Sequence, residues 1–146
     1  MARIESSILV SKSVEDIFTF LNVPENHAKF IPNMIEFNKT SSGPFGQVGA
    51  TVQGVLRLLG QNMELPYEII EHEPNRKLAM KGVLGPVIFK DGYVLNRTNN
   101  GTQINFWLEL TMTGLARLMS PFAGLIGKIH ANETLANLKK RLEMAE

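Results

Sequence analysis

The sequence contains no cysteine, and this absence removes three kinds of chemistry at once. Without cysteine there is no disulfide framework, no thiolate-bound zinc or iron–sulfur cluster, and no cysteine nucleophile. A charge excess of one sign is also missing, because 15 lysines and arginines face 14 aspartates and glutamates, for a net charge of +1. Dedicated nucleic-acid binders carry a clear basic excess, so this balance argues against nucleic acid as a partner.

Long hydrophobic runs are absent as well. The most apolar stretch, 114–131, is interrupted by Arg117, Pro121 and Lys128, so we expect a buried helix there and no integral membrane segment. Residues 1–7 carry charges where a signal peptide would have an apolar stretch, so we expect no secretory leader and a cytoplasmic protein. What remains is a chain of 146 residues, 44% hydrophobic and 20% charged, which is typical of one globular domain spanning 1–146.

The N-terminal third predicts one strand followed by two short helices. Apolar and polar residues alternate over 2–10, the pattern of a strand with one buried face. Ser13 is the predicted N-cap of a helix that ends near Asn22. Pro24 suits the first turn of a second helix, which we expect to run to about Phe30.

The rest of the chain predicts six strands and a final helix. Asn100-Gly101 is the firmest turn signal, since this pair supplies the positive φ angles of a tight hairpin. From Gly114 onward helical spacing predicts one long helix, bent near Pro121. Short turns divide the region before it into antiparallel strands, at about 34–41, 49–59, 62–72, 77–84, 87–97 and 102–112.

This order of elements resembles the START-like superfamily, also called helix-grip or birch-pollen-allergen-like, which contains polyketide cyclase/dehydrase and lipid-transport proteins. The helix 14–21, the proline-led segment after it and the exit Phe30-Ile31-Pro32 look like its opening signature. Val48-Gly49-Ala50-Thr51 and Asn100-Gly101-Thr102 also look like family features. The resemblance covers the whole chain. It implies an α+β helix-grip fold, β-α-α-β6-α, with a curved seven-stranded antiparallel sheet wrapped on a long C-terminal helix.

The resemblance also implies a cavity between sheet and helix that holds a small hydrophobic ligand. Small residues on the helix, among them Ala123, Gly127 and Ala131, permit either a cavity or a close approach of helix to sheet. Dense packing of protein interiors favours the close approach, whereas the resemblance favours the cavity. The residues expected to line it are those on the more apolar face of each strand and on the facing helix: Leu65, Tyr67, Met80, Phe89, Tyr93, Phe106, Leu108, Phe122, Ile126, Ile129 and His130.

Two residues are candidates for acid–base chemistry. Asp91 shares strand parity with Phe89 and Tyr93, so its carboxyl would point into an apolar cavity, where burial raises its pKa toward that of a general base. A bulge or an open cavity end would instead leave it hydrated. His130 could bind the polar end of a ligand or donate a proton, or it could sit at the margin of the core.

No metal site or cofactor is expected. His27, His72 and His130 occur in three distant elements, without the helical spacing of a metal-binding motif. Trp107 should lie on the outer face of the sheet, where it either packs on cross-strand neighbours or contacts a protein partner or a second copy in a homodimer.

Three functions follow from these observations. The first is binding or transport of a small hydrophobic molecule such as a lipid, polyketide, isoprenoid or aromatic compound. The second is a cyclase- or dehydrase-like enzyme that uses Asp91 or His130 in the same cavity. The third is an interaction module that binds a protein through the outer sheet face around Trp107.

Overall fold

The computed structural model describes residues 2–144. Seven strands in this range form one antiparallel sheet in the order β1-β7-β6-β5-β4-β3-β2, which confirms the predicted helix-grip architecture. The elements in chain order are β1 (Ala2–Val10), α1 (Val14–Leu21), α2 (Pro24–His27), β2 (Met34–Lys39), β3 (Thr51–Leu58), β4 (Gln61–Glu73), β5 (Lys77–Leu84), β6 (Val87–Thr98), β7 (Gly101–Met112), a 3-10 helix (Gly114–Met119) and α3 (Ser120–Met144).

Helix α1 forms where the sequence predicts it. The Ser13 hydroxyl accepts a hydrogen bond from the Asp16 backbone N–H at 3.1 Å, which satisfies one of the free donors at the helix start. Its four buried side chains recur at helical spacing and join the core: Val14, Ile17, Phe18 and Leu21.

Helix α2 is shorter than predicted, because it ends at His27 and not near Phe30. Beyond it the chain continues in tighter turns, with the Phe30 N–H donating to the His27 carbonyl at 3.4 Å. Pro32 disfavours helix in the residue before it, so the chain leaves the helical conformation early. Asn33 then takes a φ of 66° and leads into β2.

The hairpin between β6 and β7 is present, but Gly101 has a different role from the one predicted. Thr98 pairs with Gly101, so the two loop residues are Asn99 and Asn100. Gly101 begins β7 at a φ of 152°, and a Cβ built there would stand 2.1 Å from the Val10 carbonyl oxygen. The glycine is therefore required by the close approach of β1 and not by the turn.

The C-terminal helix is divided at the place where the sequence predicts a bend. Gly114–Met119 is a 3-10 helix, and α3 begins only at Ser120. Pro121 lacks the N–H that a continuous α-helix would need there, and its fixed φ suits a first turn. The C-terminal half of α3 packs into the core through small and branched residues: Ala131, Leu135, Leu138 and Leu142.

The N-terminal half of α3 turns a different face to the sheet from the one predicted. Helical spacing predicts a buried stripe formed by Leu115, Leu118, Met119, Phe122, Ile126 and Ile129. The Met119 side chain lies outside the described residues, and the other five are 56% to 87% exposed. Ala123 and Gly127 face the protein instead, and a Cβ on Gly127 would stand 2.6 Å from Ile4 Cδ1. Small residues thus allow the close approach to β1. The exposed residues form what we call the apolar ridge: Leu115, Leu118, Phe122, Leu125, Ile126 and Ile129.

Candidate functional site

A cavity of about 310 Å³ opens between the inner face of the sheet and α3. Its volume lies at the small end of the roughly 300–1,000 Å³ that is usual for small-molecule sites. Strands β3 to β7 supply one wall, α3 supplies another, and the connection between α2 and β2 closes an end. The lining is mostly apolar: Ile31, Pro32, Asn33, Met34, Leu56, Leu58, Leu65, Tyr67, Leu84, Val87, Phe89, Asp91, Tyr93, Phe106, Leu108, Leu110, Ile126, Gly127, His130 and Thr134.

Most of the residues predicted to bind ligand do line this cavity. Those on the wall are Leu65, Tyr67, Phe89, Tyr93, Phe106, Leu108, Ile126 and His130. Met80 does not, since it lies in the closed part of the core with 1% of its surface exposed. Phe122 and Ile129 do not line the cavity either, since they are exposed on the apolar ridge. Ala123 and Gly127 occupy the face of α3 that meets the sheet.

Sequence reasoning missed the segment that closes one end of the cavity. Ile31, Pro32 and Asn33 line it from the connection between α2 and β2, and Met34 lines it from the first position of β2. Alternation along strands identifies a buried face, but an irregular segment has no period from which its inward side chains could be read. Pro32 is recognisable from the sequence as a helix stop, and that stop is what turns the segment across the cavity end.

Two glycines allow aromatic rings to lie flat against the inner face of the sheet. The Phe89 ring covers Gly82, its partner on β5, and Tyr67 lies 3.1 Å from the position of a Cβ on Gly54. The Tyr67 and Phe89 rings meet edge to face with centroids 5.4 Å apart. The cavity wall is therefore a packed aromatic surface, and its position depends on having glycine, which has no side chain, at positions 54 and 82 beneath the rings.

Asp91 lies among apolar neighbours on this wall. Its partners across the sheet are Met80 on β5 and Leu108 on β7. Its Oδ1 atom is fully enclosed and has no hydrogen-bond partner within residues 2–144, while the side chain as a whole keeps partial exposure where it lines the cavity. Burial disfavours the charged form and raises the pKa of Asp91 to about 7.

Two phenols share the surroundings of Asp91. Burial raises the pKa of both Tyr67 and Tyr93, and the Asp91 charge raises each further. All three side chains line the same cavity. No hydrogen bond joins either hydroxyl to another group in residues 2–144. The cavity thus contains a cluster of polar groups without protein partners, which we call the polar cluster: Tyr67, Asp91 and Tyr93.

His130 lies on the same cavity, from the helix side. Burial lowers its pKa, and the nearby Glu133 charge opposes that change. No hydrogen bond joins its ring to Asp91 within residues 2–144. The two predicted acid–base residues therefore line one cavity without forming a proton-sharing pair.

The other two histidines have structural surroundings. His27 is fully buried, stacks on Phe37 with centroids 4.8 Å apart, and its Nε2–H donates to the Leu21 carbonyl at 2.7 Å. Burial lowers the pKa of His27 to about 4, so the ring is neutral. His72 contacts the Asn22 side chain near the surface at 3.0 Å. Among residues 2–144 no three His, Asp or Glu side chains gather in a way that could hold a metal ion.

Trp107 lies on the outer face of the sheet, as its strand parity predicts. It pairs with Gly92 on β6, and the indole occupies the space that a side chain at Gly92 would fill. The Arg3 guanidinium lies 4.9 Å from the ring centroid, close enough for a cation–π contact. The indole is therefore held by neighbours on its own sheet.

The sheet, the C-terminal helix and the enclosed cavity define a helix-grip protein of the START-like class. The chain belongs to the family of polyketide cyclase / dehydrase and lipid transport proteins, whose sequence model matches residues 1–143. No curated protein sequence is similar enough to match the chain.

Solved structures with the same fold span nearly the whole chain. The protein TTHA0849 from Thermus thermophilus superposes with a TM-score of 0.81 at 11% identity, with 99% of each chain covered. The Zhui aromatase/cyclase of a Streptomyces species gives a TM-score of 0.78 at 12% identity over 97% of this chain and 93% of that one. The di-domain aromatase/cyclase StfQ of the steffimycin biosynthetic pathway gives 0.79 at 13% identity, over 97% of this chain and 50% of that one.

None of the helices within residues 2–144 has both the length and the apolar character that crossing a bilayer requires.

Proposed function

We propose that the protein binds a small hydrophobic molecule in the cavity between the sheet and α3. The observation that carries this proposal is a mostly apolar cavity of about 310 Å³ between the sheet and α3. A ligand that loses about 200 Å² of apolar surface would gain about 5 kcal/mol, at about 25 cal/mol per Å², before the cost of association. Family membership supports the same function, since the family description includes lipid transport.

The test uses two neighbouring residues of α3 that differ in their relation to the cavity. Ile126 lines it and is 57% exposed, whereas Leu125 is 67% exposed and lies outside it. Tryptophan at either position replaces an exposed apolar side chain, so both variants should fold. Ile126→Trp should narrow the cavity, and Leu125→Trp is the matched control.

The measurement is titration with the neutral fluorescent probe N-phenyl-1-naphthylamine. The wild-type protein should bind one equivalent, Ile126→Trp should bind at least about 10-fold more weakly, and Leu125→Trp should match the wild type within about 2-fold. Equal weakening by both variants would assign the binding to the apolar ridge. Unchanged binding in both, or no binding by folded wild-type protein, would overturn the proposed site.

We infer a second candidate function, proton transfer on the bound molecule, from the surroundings of Asp91. A carboxyl with a pKa of about 7 inside an enclosed cavity is suited to act as a general acid or base near neutral pH. This would make the protein a cyclase- or dehydrase-like enzyme, and the description of its family supports that class of reaction. His130, which makes no hydrogen bond to Asp91 among the described residues, would act separately.

Exchange of a carbon-bound hydrogen tests the second function without a known substrate. In heavy water, 2-tetralone exchanges the hydrogens beside its carbonyl, and magnetic resonance follows the rate. Wild-type protein should accelerate exchange, and Asp91→Asn should lose at least about 10-fold of the acceleration while still binding N-phenyl-1-naphthylamine. Acceleration that survives in Asp91→Asn would remove this residue from the role.

The outer face around Trp107 supports a protein partner less well. Its indole is already covered by Arg3 and seated over Gly92, so it offers little free apolar surface. A homodimer through this face remains a prediction, for which light scattering on the wild type and on Trp107→Ala is the test. A mass that halves in the variant would support the dimer, and a monomeric wild type would refute it.

A further inference from the structure

The polar cluster bears on which hydrophobic molecules the cavity accepts. It consists of the Asp91 carboxyl, whose Oδ1 is fully enclosed, and two phenol hydroxyls that are not fully enclosed; none of these oxygens has a hydrogen-bond partner among residues 2–144. Buried polar groups in folded proteins are nearly always paired, with protein, water or ligand. The rest of the wall is mostly apolar, and its other polar side chains, Asn33, His130 and Thr134, make no hydrogen bond to the cluster within residues 2–144.

The members of the cluster come from different strands yet converge on one region. Tyr67 lies on β4, while Asp91 and Tyr93 lie on β6 at positions that share the inner face. Packing fixes the two rings: Tyr67 meets Phe37 and Phe89, and Tyr93 meets Phe106 with centroids 5.1 Å apart. These side chains cannot turn away to find partners elsewhere, so the cluster is preorganised.

The chemistry of the cluster selects among polar groups on a ligand. An ionised carboxyl accepts hydrogen bonds, and a phenol hydroxyl both donates and accepts them. A ketone or ether can only accept, and an ammonium group can only donate. A hydroxyl group does both, and it remains neutral, so its transfer into an apolar cavity costs less than that of a charged group.

We propose, on the basis of the proposed function, that the physiological ligand is an apolar, ring-sized molecule bearing a hydroxyl group. Asp91 binds this hydroxyl between Tyr67 and Tyr93. The hydroxyl donates to Asp91 Oδ2, the carboxyl oxygen that is not enclosed, and accepts from a phenol. The apolar body of the ligand lies along the aromatic wall toward Ile126. Asp91 is thus a residue that determines specificity within a cavity whose remaining contacts are mostly apolar.

Calorimetric titration with three matched probes tests this proposal at pH 8, above the Asp91 pKa of about 7, so that the carboxyl is ionised. Naphthalene has no polar group, 2-methoxynaphthalene can only accept a hydrogen bond, and 2-naphthol can both donate and accept. Wild-type protein should bind 2-naphthol at least about 10-fold more tightly than either of the others, because it alone satisfies the cluster.

Two substitutions at Asp91 test the role of the carboxyl. One substitution beside it shows what any change of side chain on β6 does to binding. Asp91→Leu should bind naphthalene at least as well as the wild type and lose the preference for 2-naphthol. Asp91→Asn keeps an acceptor and should keep part of that preference. Lys90→Met is the control, since Lys90 is the preceding residue of β6 and its exposed side chain points to the opposite face.

The outcomes separate the two proposals. Naphthalene binding without a preference for 2-naphthol in the wild type, or a preference that survives in Asp91→Leu, would overturn the role of Asp91 and leave the proposed function intact. If folded wild-type protein bound none of the three probes or N-phenyl-1-naphthylamine, the proposed function itself would fail. A preference lost equally in Lys90→Met would also overturn the assignment.

Discussion

The Phe89 ring lies over Gly82 so closely that a Cβ built on Gly82 would stand 2.4 Å from Phe89 Cζ. The two residues are directly paired between β5 and β6. Because Phe89 also lines the cavity, the absence of a side chain at Gly82 sets how far the ring projects into it. A backbone position that does not itself line the cavity thereby controls the shape of the site.

Gly82→Ala should therefore reduce ligand binding without adding or removing a polar group. The added methyl group must displace the Phe89 ring, and the open direction is toward the cavity. We expect N-phenyl-1-naphthylamine affinity to fall about 10-fold. We also expect the free energy of unfolding to fall by about 1–3 kcal/mol, the range for overpacking. Gly124→Ala is the control, since nothing lies within 4 Å of its Cβ position; it should bind normally and gain about 1 kcal/mol in helix stability.

Asp91 should destabilise the folded protein at neutral and alkaline pH. Its folded-state pKa of about 7 lies above the ordinary value of 3.8, so the unfolded chain releases its proton first as pH rises. The cost is absent below about pH 3.8, grows as pH rises and levels off above about pH 7 at up to about 4 kcal/mol. Denaturant unfolding of Asp91→Asn and wild type should show the variant more stable at pH 8, with the advantage gone at pH 4. An advantage that does not vary with pH would contradict this account.

His27 should act in the opposite direction. Its pKa is lowered from 6.5 to about 4, so the unfolded chain takes up a proton before the folded protein does. Above pH 6.5 there is no cost; as pH falls to about 4 the folded state loses about 3 kcal/mol. His27→Gln keeps a donor for the Leu21 carbonyl. The variant should be less stable at pH 7 because it loses the stacking on Phe37, and its deficit relative to wild type should shrink toward pH 4. A deficit that stays constant would show that His27 does not titrate as expected.

Gly127 should be a poor position from which to fill the cavity, although it lines it. A Cβ there would meet Ile4 Cδ1 at 2.6 Å and Leu108 Cδ2 at 3.6 Å. Gly127→Leu should therefore separate α3 from β1 and destabilise the protein by about 1–3 kcal/mol or more. Thermal unfolding of Gly127→Leu beside Gly124→Leu would show this, because the second position is open. Equal melting temperatures would mean that helix and strand adjust freely.

The strands and their inward faces could be predicted because apolar and polar residues alternate along each strand. Only one face of such a strand is apolar enough to be buried. Once Phe89 and Tyr93 are assigned to one face of β6, Asp91 must share it, and the structure places all three on the cavity wall. By the same alternation, Trp107 lies on the outer face because Phe106 and Leu108 on either side of it face inward. Neither inference needs knowledge of the partner strands.

The orientation of α3 could not be predicted in the same way. Both its large apolar residues and its small residues recur at helical spacing, so the sequence contains two stripes that could face the sheet. Hydrophobicity favours Phe122 and Ile129, but the close approach to Ile4 selects Gly127. A helical stripe shows which residues share a face and does not show which face is buried when a second stripe of small residues is present.

Helix α3 packs differently along its two halves. Toward its C-terminal end, Leu135, Leu138 and Leu142 are enclosed by the core, whereas toward its N-terminal end Gly127 and His130 border the cavity. The anchor that keeps the helix on the sheet is thus separate from the residues that shape the enclosed space. This division predicts that an exposed position at the cavity border, such as Ile126, tolerates substitution better than the enclosed leucines do, so the enclosed space can change shape while the fold is kept.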